Sequence, residues 1–304
     1  MLTVQRHRKI SPFAREARWA AWPSVWARER LGFEPDDNQE AFLDSTSLDE
    51  ILLWARQIGK TECMGLRIGH TSIYRPGSLQ LVVSASQRQA GILQKRVINT
   101  LRKLNMPPRT RVLLEIDLPE EPLDPDSKIV RCSVLSMEIG NGSAVISVPA
   151  SPDTVRGYSP DDLYLDEAAR IPDGVYEAIR PMRAAKPVRL VLGSTPKGKR
   201  GFFWEEWNGA DPAWWRSKVT AAQCPRVTAE FLARERRTVP ERVYQQEYEC
   251  LFLEREGAVF PEWMIAAAFS KDVKPLFDKE NRPHGEPLVS PDIPTLFGRK
   301  GESK

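Results

Sequence analysis

The stretch ILLWARQIGKTECMGLRIG, Ile51 to Gly69, decides the fold. Ile51, Leu52, Leu53 and Trp54 read as a short buried strand, Gly59-Lys60-Thr61 follows, and the residues beyond carry a helical pattern. Strand, glycine-containing loop and helix in that order form the context of a phosphate-binding loop, here Arg56, Gln57, Ile58, Gly59, Lys60 and Thr61. Gly59 lets the backbone approach an oxygen cluster that a Cβ would block. Lys60 is placed to set its ammonium between the β- and γ-phosphates of ATP. The Thr61 hydroxyl is placed to join a Mg²⁺ shell, and the helix N-terminus adds its dipole. The usual pattern opens on glycine; here that position is Trp54.

A second element stands at Asp162-Leu163-Tyr164-Leu165-Asp166-Glu167, an apolar run ending in two adjacent carboxylates. In nucleotide hydrolases this arrangement divides labour. Asp166 would support Mg²⁺, and Glu167 would orient and polarise the water that attacks the γ-phosphate. A solvated acidic helix start reads the same way in isolation. A third strand, Val188 to Gly193, ends in Ser194-Thr195-Pro196-Lys197-Gly198. Hydroxyls at the carboxyl end of a buried strand lie where open α/β sheets bind ligands, so Ser194 and Thr195 are candidate γ-phosphate sensors. A turn without a role is equally compatible with those residues.

Taken in order, WARQIGKTE, SASQRQA, TVRGYSPDDLYLDEAARIPD, LGSTPKGKRGFFWEEW and YQQEYECLF resemble the ATPase domain of the large terminase subunit, the DNA-packaging motor of tailed bacteriophages. The resemblance spans roughly residues 30 to 260, and Trp54 fits it, since terminases commonly lack the first glycine and carry an arginine inside the loop, here Arg56. It implies a P-loop fold of the ASCE type: an α/β domain with a mainly parallel central sheet flanked by helices. It also implies ATP and Mg²⁺ as ligands, double-stranded DNA as the translocated partner, and a ring docked on the portal protein of an empty capsid in the host cytoplasm. A small terminase subunit would deliver the DNA. Gln39 is similar in position to the glutamine that reads adenine, a task for which an amide supplies both donor and acceptor. Arg156, at an Arg-Gly step, corresponds to an arginine proposed to reach the neighbouring subunit's nucleotide, where a guanidinium fork meets two γ-phosphate oxygens. Arg56, acting within its own subunit, competes for that role, and a plain ion pair of Arg156 with Asp161 or Asp162 is the third reading.

Composition is compatible with this. At 304 residues and 41% hydrophobic content the chain can bury one large core, or one core and a small appendage. A net charge of +3 is too weak to argue nucleic-acid binding, so any DNA surface must be local. The loop Lys197, Lys199 and Arg200, flanked by glycines, is the candidate backbone-tracking contact, with a solvated loop as the alternative. Cys63, Cys132, Cys224 and Cys250 form no Cys-x-x-Cys pair and the three histidines form no ligand cluster, which indicates neither disulfide framework nor zinc site. No apolar stretch approaches the roughly 20 residues of a membrane helix, and the N-terminus is charged where a signal peptide would be apolar.

Three segments are expected. Residues 1–32 form a basic, tryptophan-rich piece compatible with helix on either side of Pro23, expected to dock its aromatic face on the domain. Residues 33–254 form the ATPase domain. Within it, Leu79 to Ser84 reads as a strand, Gln87 to Leu104 as an amphipathic helix ended by Pro107-Pro108, and Lys128 to Leu135 with Ser143 to Val148 as a hairpin about Gly140-Asn141-Gly142. Further on come a helix from Gly201, a strand from Trp214 to Val219, and two helical stretches from Thr228 to Cys250 broken at Pro240. Residues 255–304 are proline-rich and read as a linker or tail. Too short to hold a nuclease domain of about 100 residues or more, that tail leads us to expect a motor that does not cut: a split-gene product whose nuclease is a separate polypeptide, a fragment ending at the linker, or a decayed prophage copy. A helicase-like translocase and an inactive prophage remnant are the rival readings.

Overall fold

Near-continuous apolar runs such as Ile51–Trp54 and Leu190–Leu192 bury both faces of a strand, and parallel sheets are built from such strands. The computed structural model, which describes residues 11–104, 129–132 and 136–254, contains one sheet that follows this rule. Its strands are β1 (Asp49–Trp54), β2 (Leu79–Ser84), β3 (Ile129–Cys132), β4 (Ser136–Ile139), β5 (Ala144–Pro149), β6 (Asp162–Asp166), β7 (Arg189–Ser194) and β8 (Trp214–Val219). They lie in the order β3-β4-β5-β2-β6-β7-β1-β8. From β5 to β8 every pairing is parallel, and β3 and β4 add antiparallel strands at one edge.

Helices flank the sheet: α1 (Pro12–Ala21), α2 (Pro23–Leu31), α3 (Asp37–Leu43), α4 (Lys60–Tyr74), α5 (Gln87–Arg102), α6 (Pro152–Val155), α7 (Asp173–Ile179), α8 (Phe202–Asn208), α9 (Ala229–Thr238) and α10 (Glu241–Glu247). The mainly parallel α/β architecture is therefore as expected. Among the described residues no helix is long and apolar enough to cross a membrane.

The hairpin reading needs correction. The Gly140-Asn141-Gly142 turn joins β4 to β5, so Ser136–Ile139, not the whole run from Lys128 to Leu135, is the strand beside it. A further antiparallel strand, β3, lies outside β4, while β5 continues into the parallel sheet through β2. The excursion is thus part of the central sheet. Asn141 fixes the turn by donating from Nδ2 to the Ser72 and Ile73 carbonyls at the end of α4. Helix α5 ends at Arg102, two residues before the expected Leu104, and Pro107-Pro108 lie outside the described residues.

The amino-terminal aromatics divide. Trp19 and Trp26 are buried, whereas Phe13 and Trp22 are exposed. His70 of α4 joins them: its Nε2 lies 2.8 Å from the Trp19 carbonyl and its ring meets Trp26 edge-on at 5.3 Å. Burial pushes the His70 imidazole down to about 4, so it is neutral and packs as an aromatic.

At the opposite end of β1 from the phosphate loop, Glu50 and Arg67 form an ion pair at 2.7 Å with both side chains out of water. Arg67 also donates to the Phe42 carbonyl at 2.6 Å and to the Ser45 carbonyl, tying α4 and the end of α3 to β1. Burial raises the Glu50 carboxyl and the Arg67 charge opposes that rise. Removing one partner strands a buried charge. Arg67→Met is therefore expected to lower unfolding free energy by about 3–5 kcal/mol in urea titrations, and Glu50→Leu with Arg67→Met to recover more than half of it. An Arg67→Met loss below about 1 kcal/mol would show that water reaches Glu50.

Candidate active site

Parallel strands deliver their carboxyl ends to one edge, and there β1, β7 and β6 bring the sequence motifs together. After Trp54 the chain is stitched to its neighbours: the Ala55 amide donates to the Val219 carbonyl and the Arg56 amide to the Glu247 carbonyl, both at 2.9 Å. Gln57 and Gly59 then take left-handed conformations, φ 61° and 98°, and α4 starts at Lys60. The room that a Cβ on Gly59 would need is filled, since it would fall 2.5 Å from Gln39 Nε2.

Lys60 is nearly buried, and its Nζ meets Glu167 Oε1 at 3.3 Å. Gly193 makes the space for it. A Cβ there would lie 3.1 Å from Lys60 Cδ and 2.2 Å from Met64 Cε. Beside them Asp166 is buried and its Oδ1 has no hydrogen-bond partner. Burial pushes the Asp166 carboxyl up to about 6, the Lys60 charge and the Thr61 side chain pull it down, and Glu167 adds to the rise. An unpartnered carboxylate oxygen next to a threonine hydroxyl suits a hard divalent cation, so Thr61 and Asp166 fit Mg²⁺.

Glu167 adopts φ 57°, a conformation that costs a non-glycine residue of the order of 1–3 kcal/mol. Both of its oxygens are engaged. Besides Lys60 on Oε1, Arg170 Nη1 donates to Oε2 at 2.5 Å and Ser194 Oγ lies 3.5 Å from it. Arg170 also donates to Thr195 Oγ1 at 3.1 Å and meets Glu247 Oε1 at 3.5 Å. Ser194 and Thr195 are buried at the end of β7.

The remaining expected residues are more dispersed. Gln39 is buried against the loop, but both ends of its amide are in use: Oε1 accepts from the Asp36 amide and Nε2 donates to the Ile58 carbonyl. Arg56 and Gln57 are exposed, whereas Ile58 is buried. Arg156 is exposed and lies 3.9 Å from Asp153. It does not pair with Asp161 or Asp162, which Arg75 approaches at 3.3 and 3.6 Å. Lys197, Lys199 and Arg200 are all exposed, and Lys199 lies 3.2 Å from Glu254.

Three residues escaped sequence reasoning. Arg170 carried a signal, lying one helical turn beyond Glu167, and Glu247 lay inside YQQEYE without a reason to be singled out. Arg226 carried none. It reaches back to the Ile58 carbonyl at 2.9 Å and to Asp36 at 3.2 Å.

The profile of the family described as "Terminase large subunit, T4likevirus-type, N-terminal" matches residues 51–266. Large terminase subunits of Thermus phage G20c and Thermus virus P23-45 are each 28% identical over 264 residues, covering 78% of this chain and 53% of theirs. The chain thus spans about half the length of these relatives. Among solved structures, the large terminase ATPase domain of Thermus phage P74-26 matches at TM-score 0.60 and 24% identity, over 76% of this chain and 99% of that one. The large terminase of another thermophilic bacteriophage matches at TM-score 0.55 and 15% identity, over 72% and 54%, and a structure of it with ADP matches at 0.54. At these identities the structures establish the fold.

Asp166 generates a pH test. Its folded-state carboxyl is raised from 3.8 to about 6, so the ionised form burdens the empty site above that pH and neither state carries the burden below about 4. Asp166→Asn, melted with chelator and without nucleotide, should therefore be stabilised by up to about 3 kcal/mol at pH 7.5, with the gain shrinking through pH 6 and absent near pH 4. A gain independent of pH would contradict this account.

Proposed function

Because the chain belongs to the large terminase subunit family of the T4-like type, through its amino-terminal region, we propose that it is the ATP-hydrolysing part of a motor that drives double-stranded viral DNA into a capsid. The observation that carries this reading is the convergence of Lys60, Asp166 and Glu167, with a buried carboxylate oxygen left unpartnered beside Thr61.

In this reading Lys60 leaves Glu167 for the β- and γ-phosphates, and Thr61 and Asp166 hold Mg²⁺, which would neutralise charge on the phosphate oxygens. Glu167 Oε1, freed of Lys60, accepts the proton of the attacking water. A bond forms between water oxygen and γ-phosphorus, the bond to the ADP oxygen breaks, and phosphate leaves. Ser194 and Thr195, next to Glu167, are placed to register its loss. Gln39 can read adenine only by giving up one of its present partners. Arg156, exposed and held only by a long, solvated contact, is free to reach a neighbouring subunit in a ring, which would sit on a portal protein and receive DNA from a small terminase subunit. Lys197, Lys199 and Arg200 remain the proposed DNA-backbone contact, weakened at Lys199 by Glu254.

Purified protein should hydrolyse ATP at a rate rising more than linearly with concentration and stimulated by linear duplex DNA, which a gel should show uncut. Lys60→Ala should abolish turnover. Glu167→Gln should still bind ATP while losing about 10²–10⁴-fold in kcat. Equal turnover in Glu167→Gln and the parent would remove Glu167 from the chemistry. Mixing Arg156→Ala with Lys60→Ala should restore part of the activity, and absence of rescue at every ratio would place the finger elsewhere.

A further inference from the structure

Arg170 stands where four parts of the molecule meet, and nothing in the mechanism above uses it. Its main-chain amide donates to the Glu167 carbonyl at 2.8 Å, closing the tight turn that holds Glu167 at positive φ. Its guanidinium clamps the side chain of that residue through Oε2, reaches Thr195 with the same nitrogen, and turns its other nitrogen to Glu247 of α10. Glu247 in turn receives the Arg56 amide of the phosphate loop on its backbone carbonyl. Gln246 Nε2, 3.1 Å from Glu247 Oε1, helps fix that carboxylate.

We propose that Arg170 is the positioning residue of Glu167, and that through Glu247 it makes helix α10 sense the nucleotide. This rests on the ATPase reading. Lys60 and Arg170 hold opposite oxygens of one carboxylate. Nucleotide withdraws Lys60, so the orientation of Oε1 toward water then depends on the contact at Oε2. Ser194, at 3.5 Å, is too long to hold it alone. One cation between two carboxylates also couples them: loss of Lys60 raises the demand of Glu167 on Arg170 and loosens Glu247. A lysine cannot substitute, because a single ammonium lacks the planar fork that reaches Glu167, Thr195 and Glu247 together.

The test uses the full chain with Arg170→Ala, Arg170→Lys and Glu247→Gln, beside the parent and Lys60→Ala. It reads kcat and KM for ATP, equilibrium binding of a fluorescent ATP analogue, and hydrogen exchange of α10 amides with and without ATPγS. Arg170→Ala should lower kcat by about 10–100-fold with KM and binding within about threefold, as expected when a reacting group is misplaced and its ligand is not. Arg170→Lys should recover only a fraction. ATPγS should change α10 exchange in the parent and in neither Arg170→Ala nor Glu247→Gln. A kcat within twofold of the parent, or the same ATPγS response of α10 in parent and variants, would overturn the proposal. If the parent binds nucleotide but hydrolyses none, the ATPase reading fails by itself, and the exchange measurement still decides the role of Arg170. If the parent binds no nucleotide, both fall. Should Arg170→Ala misfold, Arg170→Lys decides the positioning of Glu167 through kcat, and Glu247→Gln, which leaves that clamp in place, decides the coupling to α10.

Discussion

The site depends on one constraint, the register of the three parallel strands β6, β7 and β1. Leu53 pairs with Ser194, and Asp166 pairs with Gly193. The phosphate loop leaves β1 one residue beyond Leu53, and the acidic pair stands at the end of β6, two strands away with β7 between. That intervening strand must be narrow where the two sides meet, and Gly193 makes it so by leaving room for Lys60 and Met64. A slip of one residue in either pairing would turn every side chain of a strand to the opposite face and separate Lys60 from Glu167. Burial on both faces makes such a slip costly, since β6 and most of β7 lie in the core. The chemistry is therefore positioned by packing far more than by the local preferences of the loop.

Electrostatics at this edge oppose the fold while supporting the site. Asp166 sits buried with an oxygen unsatisfied, Glu167 holds a left-handed backbone, and Lys60 is taken out of water. Each of these costs stability in the empty protein. Lys60 and Arg170 offset part of it by meeting Glu167 from two sides. What remains is a deficit that a polyanion with a divalent cation would relieve. The contrast with the other end of β1 is informative. There Glu50 and Arg67 are also buried and Glu50 Oε1 is likewise unpartnered, but Oε2 is paired to Arg67, whose guanidinium also donates to the Phe42 and Ser45 carbonyls. What separates the two clusters is place: Glu50 is stapled through Arg67 to main chain at the far end of β1, whereas Asp166 ends β6 at the carboxyl edge of the sheet, beside Lys60 and Thr61.

Much of this was legible in the sequence, for a physical reason. The strands β1, β2, β6 and β7 are short apolar runs bounded by turn residues, and the loop and acidic motifs are local patterns. What sequence did not show is non-local. The β4–β5 hairpin was misplaced because alternation in residues 128–139 does not say which run touches the turn, and because the parallel partnership of β5 with β2 joins Leu79 to Ala144 across the chain. Arg170 and Glu247 are 77 positions apart and Arg226 and Ile58 are 168 apart, distances over which no periodicity carries information. The ion pair offered for Arg156 failed for the same reason: Arg75, from the far end of α4, approaches both Asp161 and Asp162.

Gln39 shows how a residue can be found for one reason and held for another. Its position suggested an amide free to read a base, yet it completes a capping box on α3 and supports the Ile58 carbonyl, while filling the space beside Gly59. Glycine at position 59 is thus required on the side away from any phosphate as well as toward it. Arg226 donates to the same Ile58 carbonyl, so the oxygen keeps a partner if Gln39 leaves. The loop is accordingly gripped at both ends, by Gln39 and Arg226 before Gly59 and by Glu247 at Arg56. Ligand entering between those grips would redistribute hydrogen bonds among α3, α10 and the segment that carries Arg226, elements distant in sequence that meet at this loop.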